Sequence, residues 1–146
     1  MRPISKVDDY FELLFYYETK RVRIKSSYVV REALPGYVFH GLKGSFIKPK
    51  TNIQEEMLQA RKIPGTADWG TEPESERGLL HIEKDGNEVR EYIQSERGNY
   101  NEYYDGIFEA IRNDKPLPVS AEDGVKVITI IEAAYKSSQT KRVIEL

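Results

Sequence analysis

The chain has 146 residues, 32% of them charged and 39% hydrophobic, with ten Tyr, five Phe and one Trp, a size that buries enough surface to fold without disulfides or a structural metal. It has no cysteine, which removes thiolate nucleophiles, cysteine-type zinc sites, iron–sulfur clusters and disulfides, and points to a reducing compartment. A net charge of -2 with the two signs interspersed offers no field for nucleic acid or an anionic membrane. No apolar run approaches the roughly 20 residues that span a bilayer, and Met1-Arg2-Pro3-Ile4-Ser5 lacks the apolar stretch of a signal peptide, so the expected location is the cytoplasm.

From Asp9 to Arg31 the chain reads as a β-hairpin rich in aromatic and β-branched residues. The first strand is apolar on both sides, with Phe11, Leu13 and Phe15 on one face and Tyr10, Leu14 and Tyr16 on the other. The second alternates Val22 and Ile24 with Arg21, Arg23 and Lys25. A sheet wet on one face does not need the first pattern, so both faces are expected to be partly covered, by helices on one side and by a partner domain or subunit on the other. Leu34-Pro35-Gly36 marks a turn. Tyr37–His40 and Ser45–Lys48 then read as two strands joined at Gly41-Leu42-Lys43-Gly44. Asn52 stands three residues before Glu55, the capping-box spacing, and opens a short helix to Gln59 or Arg61 with Met57 and Leu58 facing inward.

Residues 62–77 have no periodicity, contain Pro64, Gly65, Gly70 and Pro73, and carry Trp69. A loop of this length is disordered or functional, and its aromatic argues for order. Leu79–Glu83 and Glu88–Ile93 flank an Asp85-Gly86 hairpin turn. The period then changes from two to 3.6: Tyr100, Tyr103, Tyr104, Ile107, Phe108 and Ile111 form one stripe. That helix is capped by Asn99 or Asn101, stopped at Asn113–Pro116, and long enough to cover a sheet. Ser120–Asp123 repeats the capping signature before a helix from Val125 to Tyr135 that is apolar nearly all round and expected to be deeply buried. Arg142–Glu145 reads as a closing strand. The order implies an α+β fold, an open and mainly antiparallel sheet with helices packed on one face, in a single domain over residues 1–146.

Little in this pattern carries chemistry by itself. Gly41-Leu42-Lys43-Gly44 has neither the dinucleotide nor the P-loop spacing and precedes a strand, so a plain turn is the simpler reading. His40 and His81 lie in separate strands without a carboxylate at a ligand offset, which favours ordinary strand residues over a metal site. Lys20, Arg21, Arg23 and Lys25 beside Tyr16 and Tyr17 are explained by a solvated strand face. No pair of carboxylates can be set at an acid–base separation. The Trp69 loop and Arg97-Gly98-Asn99-Tyr100 are the two places where aromatic and polar groups meet irregular backbone. Each is a candidate ligand rim, against packing and helix capping as the plainer reading.

Several blocks in order carry more: Asp9–Leu13, Val22–Tyr28, His40–Lys48, Gln54–Leu58, Trp69–Pro73, Gly98–Tyr104 and Pro118–Asp123. In this order the series resembles the C-terminal domain of the glucose–fructose oxidoreductase/inositol dehydrogenase/rhizopine-catabolism (Gfo/Idh/MocA) family of NAD(P)-dependent oxidoreductases, over nearly the whole chain. The resemblance implies a substrate-binding and oligomerisation domain that forms a homodimer through its open sheet face and works with an N-terminal Rossmann domain in cis. In the family that domain holds the dinucleotide and the catalytic lysine, while the assisting Asp and His lie upstream of the segment matching Asp9. This chain matches none of them, so it is not expected to bind cofactor or transfer hydride alone, and NAD(P) is implied only for a complete parent. The parent reaction would oxidise or reduce a sugar-like or polyol carbon. Arg31, Trp69, Asn99 and Tyr100 are the expected substrate-binding positions, with no catalytic, cofactor or metal residue. The chain is then an excised domain of such an enzyme or a free-standing relative. The alternative is a non-enzymatic module that dimerises or regulates a partner, with no nucleic acid or membrane in either case.

Overall fold

A computed structural model of the chain describes residues 8–49 and 52–146; the Met1–Ser5 segment read above lies outside them. The described residues fall into two compact units, one comprising residues up to Ala33 together with Val119–Leu146, the other Leu34–Pro118. The fold is α+β with open antiparallel sheets and three helices, the fold class read from the sequence.

In the first unit, β1 (Tyr10–Tyr16) pairs antiparallel with β2 (Arg21–Ser27), Leu13 opposite Ile24. Leu13 and Phe15 are half-buried on one face of β1, whereas Tyr10, Leu14 and Tyr16 on the other are exposed. Arg23 pairs with Glu12 at 3.0 Å across the strands. Helix α3 (Ala121–Thr140) begins with a complete capping box. Ser120 Oγ accepts from Asp123 N–H at 3.1 Å and the Asp123 carboxylate accepts from Ser120 N–H at 3.2 Å. Ser120→Ala is therefore expected to remove about 1 kcal/mol of stability, seen as a lower midpoint in urea and a loss of helical circular dichroism.

Two expectations are corrected here. Val125, Val127, Ile128, Ile131 and Tyr135 are exposed rather than deeply buried. An apolar circumference says that a helix needs a cover, and not which molecule supplies it. Arg142–Glu145 is irregular rather than a strand. The helix ends with Lys141 in the left-handed region (φ 55°), and Ser137 Oγ donates to Arg142 O at 2.6 Å. Strand propensity in four residues is expressed only where a ladder is in register.

The second unit is built on a four-stranded antiparallel sheet in the order β3 (Tyr37–Gly41), β4 (Gly44–Lys48), β5 (Gly78–Lys84), β6 (Asn87–Ile93). Asp85 (φ 52°) and Gly86 (φ 75°) make the tight turn between β5 and β6, as their Asp-Gly sequence requires. Helix α1 (Ile53–Gln59) is capped by Asn52, whose side chain accepts from Gln54 N–H at 3.3 Å; the cap reaches the second residue of the helix rather than Glu55. Met57 is buried, but Leu58 is exposed, because the helix is short and offers one narrow inner face. Helix α2 (Asn101–Asn113) starts where Asn99 Oδ1 accepts from Asn101 N–H at 3.1 Å and stops at left-handed Asp114. Its stripe, expected to cover a sheet, leaves Tyr103, Tyr104, Phe108 and Ile111 exposed.

Candidate functional site

The long loop is ordered, and Gln54 is the reason. Its side chain is 6% exposed, and its single carbonyl Oε1 accepts both from Trp69 Nε1–H at 3.0 Å and from the backbone N–H of Tyr100 at 2.9 Å. One residue of α1 thereby ties the loop to the start of α2. The contact is tight on every side. Gly70 has φ +71°, and a Cβ there would lie 2.0 Å from Gly98 O; a Cβ on Gly98 would lie 2.5 Å from Gln54 Nε2. At Gly70 only glycine fits, because the clash is with backbone at a left-handed φ, whereas a side chain at Gly98 would have to displace the Gln54 amide. Arg97 Nη1 donates to Ala67 O at 2.6 Å, and the Asn52 amide donates to the Tyr100 hydroxyl. Upstream of Trp69 a turn closes on Asp68, whose carboxyl is held below the usual carboxylate range by the Thr66 hydroxyl and by its own backbone N–H.

A second polar anchor fastens the far end of the loop to the sheet. Lys48 of β4 and Glu72 form an ion pair whose side chains are 11% and 9% exposed. Glu72 also accepts from Ser95 N–H at 2.7 Å, and Lys48 Nζ donates to Glu76 O at 2.6 Å. Burial pushes the Glu72 carboxyl up, and the hydrogen bonds from Lys48 and Ser95 outweigh it, so the group sits below the ordinary carboxylate value. Buried charges persist when they are paired and their remaining lone pairs are used, and both conditions hold here.

Trp69 and Tyr100, 31 positions apart in the sequence, are therefore brought together through Gln54, with Asn99 beside them at the start of α2. Trp69 was expected at an exposed rim; its indole is 3% exposed, so it is part of the frame. Asn99 and Tyr100 are exposed, and Arg31 is exposed in the loop after β2, in the other unit. Sequence reasoning passed over Gln54, Lys48 and Glu72. A polar residue on the inner face of α1, one step from Met57 along the 3.6 period, was the available signal for Gln54. A cleft of about 530 Å³ opens beside this frame between α1 and the loop. Met57 lies in it, with Glu56, Asp68, Lys62 and Thr71 on its walls. Carboxylates, an ammonium and a hydroxyl thus stand around an apolar patch.

Gly41 and Gly44 close a turn between two antiparallel strands, and that turn presents no helix N-terminus to a pyrophosphate. The residues of this chain do not fit a dinucleotide there. Among the described residues no group of three His, Asp or Glu side chains is arranged to hold a metal ion, and no helix is long and apolar enough to cross a membrane.

Residues 2–146 match a family profile described as the oxidoreductase family, C-terminal alpha/beta domain. The chain is 38% identical over 145 residues to the scyllo-inositol 2-dehydrogenase (NADP(+)) IolW of Bacillus subtilis, covering 99% of this chain and 40% of the relative. It is 29% identical to the oxidoreductase YhhX of Escherichia coli, covering 98% and 41%. In structure it is similar to yvaA of Bacillus subtilis, with a TM-score of 0.93 and 37% identity over 99% of this chain and 42% of the other. A Bacteroides fragilis protein assigned as an oxidoreductase gives 0.90 and 38% over 100% and 44%. The chain thus spans about two fifths of the length of the curated relatives it matches.

Proposed function

The chain belongs to the Gfo/Idh/MocA oxidoreductase family, whose C-terminal alpha/beta domain it matches, and from that membership we propose that it is the substrate-binding and dimerisation domain of an NAD(P)-dependent dehydrogenase acting on a cyclic polyol or a sugar-like relative. The observation that carries the reading is the 38% identity with a scyllo-inositol dehydrogenase along 99% of the chain. The NADP(+) in the name of that relative supports NADP as the cofactor of the complete enzyme. The dinucleotide is assigned to a Rossmann domain in cis, a reading supported by the chain's spanning about two fifths of its curated relatives, and hydride transfer is not assigned to this chain alone. Absence of cysteine supports a reducing, cytoplasmic setting.

In the complete enzyme Asn99 and Tyr100 offer an amide and a phenol to substrate hydroxyls, groups that both donate and accept. Gln54, itself bonded to Trp69, holds the Tyr100 backbone in place. Arg31 is proposed, independently, as a further donor to substrate. The domain self-associates through an open sheet face.

The test uses the native gene product. An antibody against this domain is expected to reveal a protein heavier by about one further domain of 100–200 residues. That protein, purified, is expected to reduce NADP+ with scyllo-inositol and to lose most of its kcat/KM when Asn99 is changed to alanine. A native product at the mass of these 146 residues, or a full-length protein without turnover on cyclic polyols and sugars, overturns the proposal. The first result would favour a regulatory module.

A further inference from the structure

Half of the buried Gln54 amide is not used by the frame it holds. Its carbonyl Oε1 accepts from Trp69 Nε1–H at 3.0 Å and from Tyr100 N–H at 2.9 Å. Two donors on that atom settle which end of the amide is oxygen. The other end, Nε2, carries two N–H groups and among the described residues donates to none. The residue is only 6% exposed, and a donor left unpaired at such a place is costly. Arg77 Nε is the sealed side-chain atom without a partner among the described residues, so Gln54 Nε2 keeps an opening to solvent. It lies against Gly98, where a Cβ would stand 2.5 Å from it; any other residue at 98 would cover or displace the nitrogen. Gly98-Asn99-Tyr100 leads directly into α2.

This corner offers donors, and its acceptors are occupied. Gln54 Oε1 is spent on Trp69 and Tyr100, and Asn99 Oδ1 on Asn101 N–H at 3.1 Å. The Tyr100 hydroxyl oxygen accepts from the Asn52 amide, whose own oxygen caps α1, which leaves the phenol proton to be donated outward. A neutral hydroxyl brings a proton that needs an acceptor, whereas an oxyanion brings acceptors only. Electrostatics act in the same direction. The first turn of a 13-residue helix carries partial positive charge, and Arg97, held to Ala67 O at 2.6 Å, puts a full one beside Gly98 in the chain. Of the carboxylates close by in sequence, Glu55 is met by the Gln59 amide at 3.5 Å and Glu102 by the Asn99 amide at 3.4 Å, and Glu96 is exposed to water.

We propose that Gln54 Nε2 and the start of α2 form a binding site for the oxyanion of a small ligand, a carboxylate or a phosphate, and that Gln54 is the residue that tells it from a neutral hydroxyl. The site adjoins the substrate contacts proposed above but does not rest on them. It is argued from the amide and holds whether or not the chain serves a dehydrogenase.

Three hexoses with the same ring and different groups on the sixth carbon test it: glucose, glucuronate and glucose 6-phosphate, titrated at constant ionic strength into the 146-residue chain and into the native gene product. Trp69, the only tryptophan, is bonded to the other end of the same amide, so its emission in the chain reports occupancy; calorimetry reads the native product. The expected result is saturable binding of glucuronate or glucose 6-phosphate, at least about tenfold tighter than glucose, the size of one hydrogen bond to a charged group. Whichever of the two binds identifies the oxyanion. Gln54→Glu keeps an oxygen for Trp69 and Tyr100 and exchanges the donor for a second acceptor. It is expected to weaken binding at least about tenfold while the emission of the free protein stays unchanged. Gly98→Ala, which sets a Cβ on the nitrogen, is expected to lose binding as well. The selectivity of the unmodified chain needs no variant and carries the test if either substitution unfolds it. Glucose binding as tightly as both anions, no saturable response to either anion, or full binding in folded Gln54→Glu overturns the proposal. Failure of the dehydrogenase reading shows instead in the mass and turnover of the native product, so the two failures are told apart.

Discussion

Gln54→Leu is expected to lower the unfolding free energy by about 1–3 kcal/mol, the cost of leaving the buried Trp69 indole N–H without an acceptor, with the part-buried Tyr100 N–H free to turn to water. The donors are Trp69 Nε1 and the backbone N–H of Tyr100, and both depend on the one carbonyl. Leucine keeps the apolar volume, so the loss reports the hydrogen bonds rather than a cavity. Urea unfolding followed by Trp69 emission reads both consequences, a lower midpoint and, in the folded state, a shift to the red as the indole gains water. Gly70→Ala should reproduce the loss by a different route, since its Cβ would be forced to 2.0 Å from Gly98 O at a left-handed φ. A change below about 1 kcal/mol in Gln54→Leu would mean that water replaces the carbonyl at no net cost, and that the loop is held elsewhere.

Lys48→Met is expected to cost about 3–5 kcal/mol at neutral pH, the penalty for leaving one member of a buried pair charged and alone. Removing both charges with Lys48→Met and Glu72→Leu together should recover most of that loss, because an apolar pair of similar volume has no desolvation to offset. The pH dependence has a definite sign. The Glu72 carboxyl lies below its unfolded value when folded, so the stability it contributes is present above the unfolded carboxylate range and is lost as pH falls through the folded value. The deficit of Lys48→Met relative to the wild type should therefore shrink between about pH 7 and about pH 4, as an unpaired Glu72 takes up a proton. Parallel urea titrations at the two pH values measure it. A deficit that stays constant would show that the lysine stem, rather than its charge, carries the packing.

Most of the local architecture was legible in the residues. The Asp85-Gly86 turn, the two hairpins, the Ser120 box and the stop at Asp114 are consequences of backbone preferences that act over four or five positions. The candidate site was legible only in part. Trp69, Asn99 and Tyr100 were singled out because ordered aromatics in irregular backbone attract attention, but Gln54, which joins them, belongs to a helix turn that looks ordinary in sequence. Lys48 and Glu72, 24 positions apart, look like two of many surface charges until β4 and the loop come together.

By itself the sequence determined most of the helix, strand and turn segments, Arg142–Glu145 excepted, and it carried the family's order of motifs from Asp9 to Asp123. It did so because periodicity, capping and turn chemistry are local and survive without knowledge of neighbours. Tertiary structure alone decided that Trp69 is frame rather than rim, that one carbonyl serves two distant segments, that Val125–Tyr135 is exposed rather than deeply buried, and that His40, Ser45, His81 and Arg90 form a single row. Each of these depends on register or on the meeting of remote segments. A one-residue slip in any one of the strand pairings would divide those four side chains between opposite faces, and no local preference carries that information.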